Sequence, residues 1–224
     1  TGDWCLSLDC DEVVKPGTLD KLRAAAAAAT GNTFQMRLYS KGAENNWHYL
    51  VRFFRRTPQV RWAGRGHEAI NFDDQTRFED GGIIYGYSDA HNQDPDRMMR
   101  IMLKSFVDAE LAGEKPGTRT LYYMAREFWY RRNFERALFW FHERVKEIGF
   151  RAECADAWLY IARINWASGK PEEAREAALK SLVLAPDCRE TLLFLAEMSF
   201  PEQAAAWNRF AGVAGNEGVL FKRA

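Results

Sequence analysis

Along the first 94 positions, short apolar runs alternate with turn residues; after Pro95 the apolar residues fall at helical spacing to about Gly212. Trp4-Cys5-Leu6-Ser7-Leu8 reads as a buried strand ending at Asp9. From Thr33 to Ser40, Phe34, Met36 and Leu38 alternate with other positions at the two-residue period of a half-buried strand, and His48 to Phe54 forms a second such run. Between them, Pro16-Gly17-Thr18 precedes Leu19 to Ala29, which predicts a helix with Thr18 as its N-cap. Its six consecutive alanines favour helix and permit close packing, and Gly31-Asn32 ends it. Asp96 to Leu111 carries Met98, Met99, Ile101, Met102 and Phe106 at helical spacing, stops at Gly113 and is followed by a Pro116-Gly117 linker. The expected organisation is α/β followed by all-α: residues 1–94, a connecting helix and linker over 95–117, and helices over 118–224.

The helical part repeats itself. When Leu121, Trp158 and Leu192 are aligned, Met124, Ile161 and Leu195 coincide, as do Ala125, Ala162 and Ala196. Ala137 matches Ala174, and Pro186 stands at the end of the second unit. The step from Ala162 to Ala196 is 34 residues and that from Ala125 to Ala162 is 37, so the loop from Gly149 to Cys154 holds the extra three. This pattern resembles the tetratricopeptide repeat, in which small residues in register let paired helices approach. Trp158, Ile161, Ala162, Gly169, Ala174 and Pro186 sit at its consensus positions, whereas Asn165 and Ala178 depart from its usual aromatics. Pro201 arrives early and predicts a shortened third unit. The dense aromatics from Phe128 to Phe141 read mainly as core between the first helices, although aromatic faces also suit carbohydrate or peptide.

Composition narrows the function classes. The 31 basic and 31 acidic side chains cancel, which argues against bulk coating of nucleic acid or anionic membrane. No apolar run approaches the roughly 20 residues of a membrane span. Cys5, Cys10, Cys154 and Cys188 form no CxxC pair and, with the four histidines, no zinc-ligand spacing; free thiols and a cytoplasmic location are the expectation.

The first strand delivers Asp9, Asp11 and Glu12 at its C-terminal end, where an open α/β sheet binds ligands. Asp9 and Asp11 point the same way in extended chain, and two such carboxylates suit Mg²⁺ or Mn²⁺. An acidic loop after a strand is the plain alternative. Arg52, Arg55, Arg56, Arg61 and Arg65 follow in a stretch with no acidic residue, suited either to a diphosphate or to a solvated strand edge.

A strand running into Leu-Asp-x-Asp-Glu resembles the DxD segment of family-2 glycosyltransferases with the GT-A fold. Arg52-Phe53-Phe54-Arg55-Arg56 followed by Gly64-Arg65-Gly66-His67-Glu68 is similar to a segment of the subgroup whose catalytic domain precedes tetratricopeptide helices. Tyr85-Gly86-Tyr87 and then Asp96 to Leu103 resemble the stretch joining the two parts. The resemblance implies the C-terminal part of a GT-A-like, Rossmann-type domain followed by tetratricopeptide-like hairpins. It implies metal-dependent, inverting transfer from a nucleotide-sugar donor to a protein, peptide or glycan acceptor, with a homo-oligomer as a further possibility. Asp11 takes the metal-ligand role and Asp9 faces ribose or metal. Glu68 is the candidate base, or else a structural partner of nearby arginines. Arg55, Arg65 and His67 are candidate substrate contacts. Tyr85 or Ile84 stands where relatives carry a histidine, His91 is off register, and Gly66 replaces a branched apolar residue. The usual nucleotide-binding half before the DxD is not in this sequence, so the chain is expected to be part of a longer enzyme. The alternative function is a non-catalytic tetratricopeptide interaction protein derived from such an enzyme.

Overall fold

A computed structural model gives the fold. It describes residues 2–66, 68–70, 76–86 and 94–214, with backbone only for residues 43–46. The chain divides into two compact units, one ending at Pro95 and the other beginning at Asp96.

In the first unit, β1 (Trp4–Leu6), β2 (Glu12–Val14), α1 (Thr18–Ala28), β3 (Thr33–Ser40), β4 (Ala43–Arg55), β5 (Trp62–Ala63), β6 (Ala69–Ile70) and β7 (Thr76–Tyr85) follow in order. Five strands form one sheet in the order β1-β4-β3-β7-β2, and β5 and β6 form a separate ribbon. The alternation in β3 puts Phe34, Met36 and Leu38 into a core with Leu22 of α1, Phe53, Phe78 and Ile83. Burying these side chains drives the unit together, at about 1.5–3 kcal/mol for each large residue.

The sheet corrects three expectations. The parallel order of a Rossmann-type domain is not supported: among the described residues only β3 and β7 run parallel, and the other pairs are antiparallel. The first strand is not a buried five-residue strand. It spans three half-buried residues paired with β4 alone at the edge, and Leu8 lies beyond it, exposed. Thr18 does not cap α1. Gly17 holds the N-cap at φ 75°, a left-handed conformation glycine adopts without a Cβ clash. Thr18 is buried instead, and its Oγ1 accepts a hydrogen bond from the Gly82 amide at 3.2 Å. This clamps α1 onto β7 where Gly81 leaves room: a β-carbon there would lie 2.5 Å from Thr18 Oγ1.

The second unit comprises α2 (Arg97–Leu111), α3 (Thr118–Tyr130), α4 (Phe134–Arg144), α5 (Arg151–Ala167), α6 (Pro171–Leu184), α7 (Arg189–Glu197) and α8 (Pro201–Val213). Helices α3–α4, α5–α6 and α7–α8 pack as hairpins, and α4 on α5 and α6 on α7 join one hairpin to the next. The aligned Ala125 and Ala162 are fully buried and Ala196 nearly so; Ala137, Ala174 and Ala178 are fully buried on the second helices. Helix α2 belongs to this unit rather than to a linker, because Met102 is buried in its core. Of the aromatic stretch, Phe141 is buried and stacks on Tyr160 with centroids 4.6 Å apart, while Tyr130, Phe134 and Phe139 are exposed.

The turns obey the same repeat. Gly169 between α5 and α6 has φ 72°, and Arg132, 37 positions earlier between α3 and α4, has φ 56°. Asn133 then caps α4, its side-chain oxygen accepting from the Arg136 amide at 3.1 Å. The three extra residues after α4 are held by Arg144, whose buried guanidinium donates to the carbonyls of Glu147, Ile148 and Phe150 at 2.8, 3.2 and 3.1 Å. The third hairpin is shortened as expected, with a nine-residue α7 and Pro201 starting α8. No described helix is long and apolar enough to cross a membrane.

Ala162 lies where helices touch, so Ala162→Trp forces them apart and costs at least about 1–3 kcal/mol. The thermal transition of the helical unit is expected to fall by several degrees in calorimetry; an unchanged transition contradicts the register.

Candidate functional site

The carboxylates after β1 are organised by an arginine from β4. Opposite β4, Phe34 pairs with Phe53 but Gln35 pairs with Val51, so Arg52 is the extra residue of a β-bulge. A bulge re-aims the side chain it carries. The Arg52 carbonyl accepts from the Ser7 amide at 2.8 Å, which ends the pairing of β1 with β4. Its guanidinium, only 8% exposed, donates to Asp9 Oδ2 at 2.7 Å and to the Glu12 carboxylate. Glu12 in turn accepts from the Asp9 amide at 2.9 Å, and the Glu12 amide donates to the Asp9 carbonyl at 3.0 Å. The acidic turn is thus closed by one backbone–backbone bond, one bond from a backbone amide to a side chain, and one shared buried cation.

Asp11 stands outside this arrangement. Its carbonyl accepts from the Gly86 amide at 3.2 Å. Its carboxylate is half-exposed and makes no hydrogen bond or ion pair among the described residues. Asp9, Asp11 and Glu12 therefore differ: two share the Arg52 guanidinium, and one is presented. Among the described residues no group of three His, Cys, Asp or Glu side chains converges as metal ligands. What is presented is a single carboxylate, with its neighbour Asp9 turned to Arg52; a divalent cation of this class takes six or more oxygens.

The other expected site residues are dispersed over different segments. Arg55 lies over the Trp4 ring at 4.7 Å and donates to the Ala29 carbonyl at 3.4 Å, joining β4 to β1 and to the end of α1. Arg65 and Glu68 are exposed between β5 and β6. His67 lies outside the described residues, as does His91. One further group near Arg52 was not among the expected site residues. His48 is largely buried, packs edge-on against Tyr85 at 5.8 Å, and is held below the usual histidine range by burial and then by the Arg52 charge. Tyr85 shares a hydrogen bond of 2.8 Å with Ser40. The signal for Arg52 itself was present: a lone charge between Leu50-Val51 and Phe53-Phe54 needs a buried counter-charge.

In the helical unit, the first helices of successive hairpins present equivalent positions. Arg126 of α3 aligns with Arg163 of α5, Trp129 with Trp166, and Leu159 of α5 with Leu193 of α7. Arg126 is buried among the rings of Tyr122, Tyr123 and Tyr130 at 5.5, 5.5 and 5.4 Å, and it donates to the Tyr130 hydroxyl. Tyr122 donates to Asp156, and Arg119 pairs with the buried Glu153. Burial pushes the Tyr122 hydroxyl and the Glu153 carboxyl up from their ordinary ranges, Arg119 opposing the latter. These polar contacts tie α3 to α5. Trp166 and Leu193 remain exposed.

The sequence profile of the tetratricopeptide repeat matches residues 155–198, from within α5 past the end of α7. The chain therefore contains a tetratricopeptide repeat. No curated protein sequence matches this chain. Among solved structures, it is similar to the crystal structure of MamA, at 12% identity and TM-score 0.39, over 56% of this chain and 67% of that one. It is also similar to the MamA RS-1 ArsTM double mutant, at 14% identity and TM-score 0.30, over 56% of this chain and 88% of that one. The repeat assignment rests on the profile match and the packing register.

Two outcomes follow for the sheet unit. Arg52→Met leaves the buried Glu12 carboxylate without its cation and should cost about 3 kcal/mol, read as a lower denaturant midpoint; an unchanged midpoint contradicts the lock. His48 has a folded pKa below its unfolded one, so the unfolded chain binds more protons in that window. Stability is then present above the unfolded value near 6.5 and lost as pH falls through the folded value. His48→Gln should flatten the decline below about pH 6.5; an unaltered pH profile contradicts the assignment.

Proposed function

We propose that the helical unit is a docking module for a protein or peptide partner. The observation that carries this is the exposure of Trp166 near the end of α5 and of Leu193 on α7, the first helices of consecutive hairpins, 38% and 40% respectively. The tetratricopeptide match over residues 155–198 supports it. Stacked hairpins repeat one surface at a fixed step, which suits an extended or helical segment that repeats its own contacts. An exposed tryptophan offers a large apolar face of the kind that dominates interface energetics. Selection of peptides from a display library against the folded chain tests it. Trp166→Ala should weaken selected peptides by more than about tenfold without altering the fold, the magnitude of a hot-spot tryptophan. Selected peptides that bind equally to wild type and variant contradict it.

A second reading attaches to the sheet unit: metal-dependent transfer from a nucleotide sugar, with the docking module bringing the acceptor. It is favoured by one observation, the unengaged Asp11 carboxylate two residues after Asp9 at the end of β1. In this reading Asp11 would hold Mn²⁺ or Mg²⁺, which would supply positive charge for a departing diphosphate. Arg55, Arg65 and His67 contribute to the donor, and Glu68 deprotonates the acceptor. Mn²⁺-dependent nucleotide-sugar binding by the full-length gene product, lost in Asp11→Asn, is the expected result. Binding unaffected by Asp11→Asn removes the metal role from Asp11, and no metal-dependent binding by the wild type removes the reading.

A further inference from the structure

Helix α8 closes the stack of hairpins among the described residues, and much of its surface is uncovered. One side, with Ala204, Trp207 and Ala211, turns inward toward the rest of the unit. The opposite side carries Glu202, Ala206, Arg209 and Val213, all exposed and aligned by helical spacing. Glu202 and Arg209 make no ion pair among the described residues. Phe200 at the start of α8 is 79% exposed and Phe210 near its end is 57% exposed. Beside Phe210 opens an apolar groove of about 510 Å³, lined by Leu182, Leu192, Trp207 and Val213, with Asp187 as its charged residue.

We propose that a second copy of this chain covers this face, two α8 helices packing antiparallel about a twofold axis. Charge complementarity selects this occupant. Along the exposed stripe the order is acid, small residues, base; reversed, that order is its own complement. A twofold contact requires such self-complementarity, because each residue must meet its counterpart in both directions. Centred on Ala205 and Ala206, the pairing sets Glu202 of each copy against Arg209 of the other. The alanines at the crossing permit an interaxial distance near 8 Å, the close end of the usual range. One helix pair buries little surface for a stable dimer, so association is weak and concentration-dependent. This contact is separate from partner docking at Trp166.

Sedimentation equilibrium of the whole chain, from about 1 to 200 µM at low salt, tests it, the upper limit being set for a small interface. The wild type should pass from monomer to dimer. Glu202→Arg and Arg209→Glu each create two like-charge contacts and should weaken association roughly tenfold. The double variant restores opposite charges and should regain the wild-type association. Both side chains are exposed, so circular dichroism should be the same for all four proteins. A wild type still monomeric at the highest concentration overturns the proposal. So do single variants that associate as well as the wild type, or a double variant no stronger than the singles.

Discussion

Two helices approach to about 8 Å only where the side chains between them are small, and the helical unit depends on meeting that condition repeatedly. Ala125, Ala162 and Ala196 meet it on the first helices; Ala137, Ala174 and Ala178 meet it on the second. Because these alanines recur at a nearly constant step, each hairpin offers the next the same surface, and the chain stacks instead of collapsing into an irregular bundle. The one departure from constant step, the three extra residues after α4, is accommodated by the buried Arg144, which collects three carbonyls of that loop.

The sheet unit solves a different problem. It buries a guanidinium in an apolar strand, and the cost of that burial is offset only if acceptors surround it. Arg52 meets this by drawing Asp9 and Glu12 into one turn, helped by a bulge that rotates it out of the alternation of β4. The same interaction distinguishes three carboxylates that sequence alone leaves equivalent. Asp11 is set apart because its neighbours are already engaged, and its own backbone is held by Gly86.

Much of this was legible in the sequence wherever the signal was periodic. The alternation of Phe34, Met36 and Leu38 located β3 and its buried face, and the alanine register located the hairpins and the shortened third unit. Signals that depend on partners far along the chain were not legible. Nothing local distinguishes an edge strand from a central one, so Trp4 to Leu8 read as buried; the strand order decides it. Thr18 has the chemistry of an N-cap, but Gly17 has the conformation, and the Thr18 hydroxyl is claimed by Gly82 some 64 positions away. Arg52 read as one of a basic group because a bulge cannot be seen without its opposing strand. Of the candidate site, Asp9, Asp11 and Glu12 were found by type and spacing, whereas the pairing of Asp9 and Glu12 with Arg52, and the packing of His48 on Tyr85, come only through the sheet.

The helical unit is a nearest-neighbour stack in which α5–α6 has a hairpin on each side and α7–α8 has one. Native-state hydrogen exchange, resolved to individual helices, tests this most directly. The stack predicts slowest exchange in α5, intermediate exchange in α3 and α4, and fastest exchange in α8. Exchange from α8 as slow as from α5, or one uniform protection across all the helices, would contradict it.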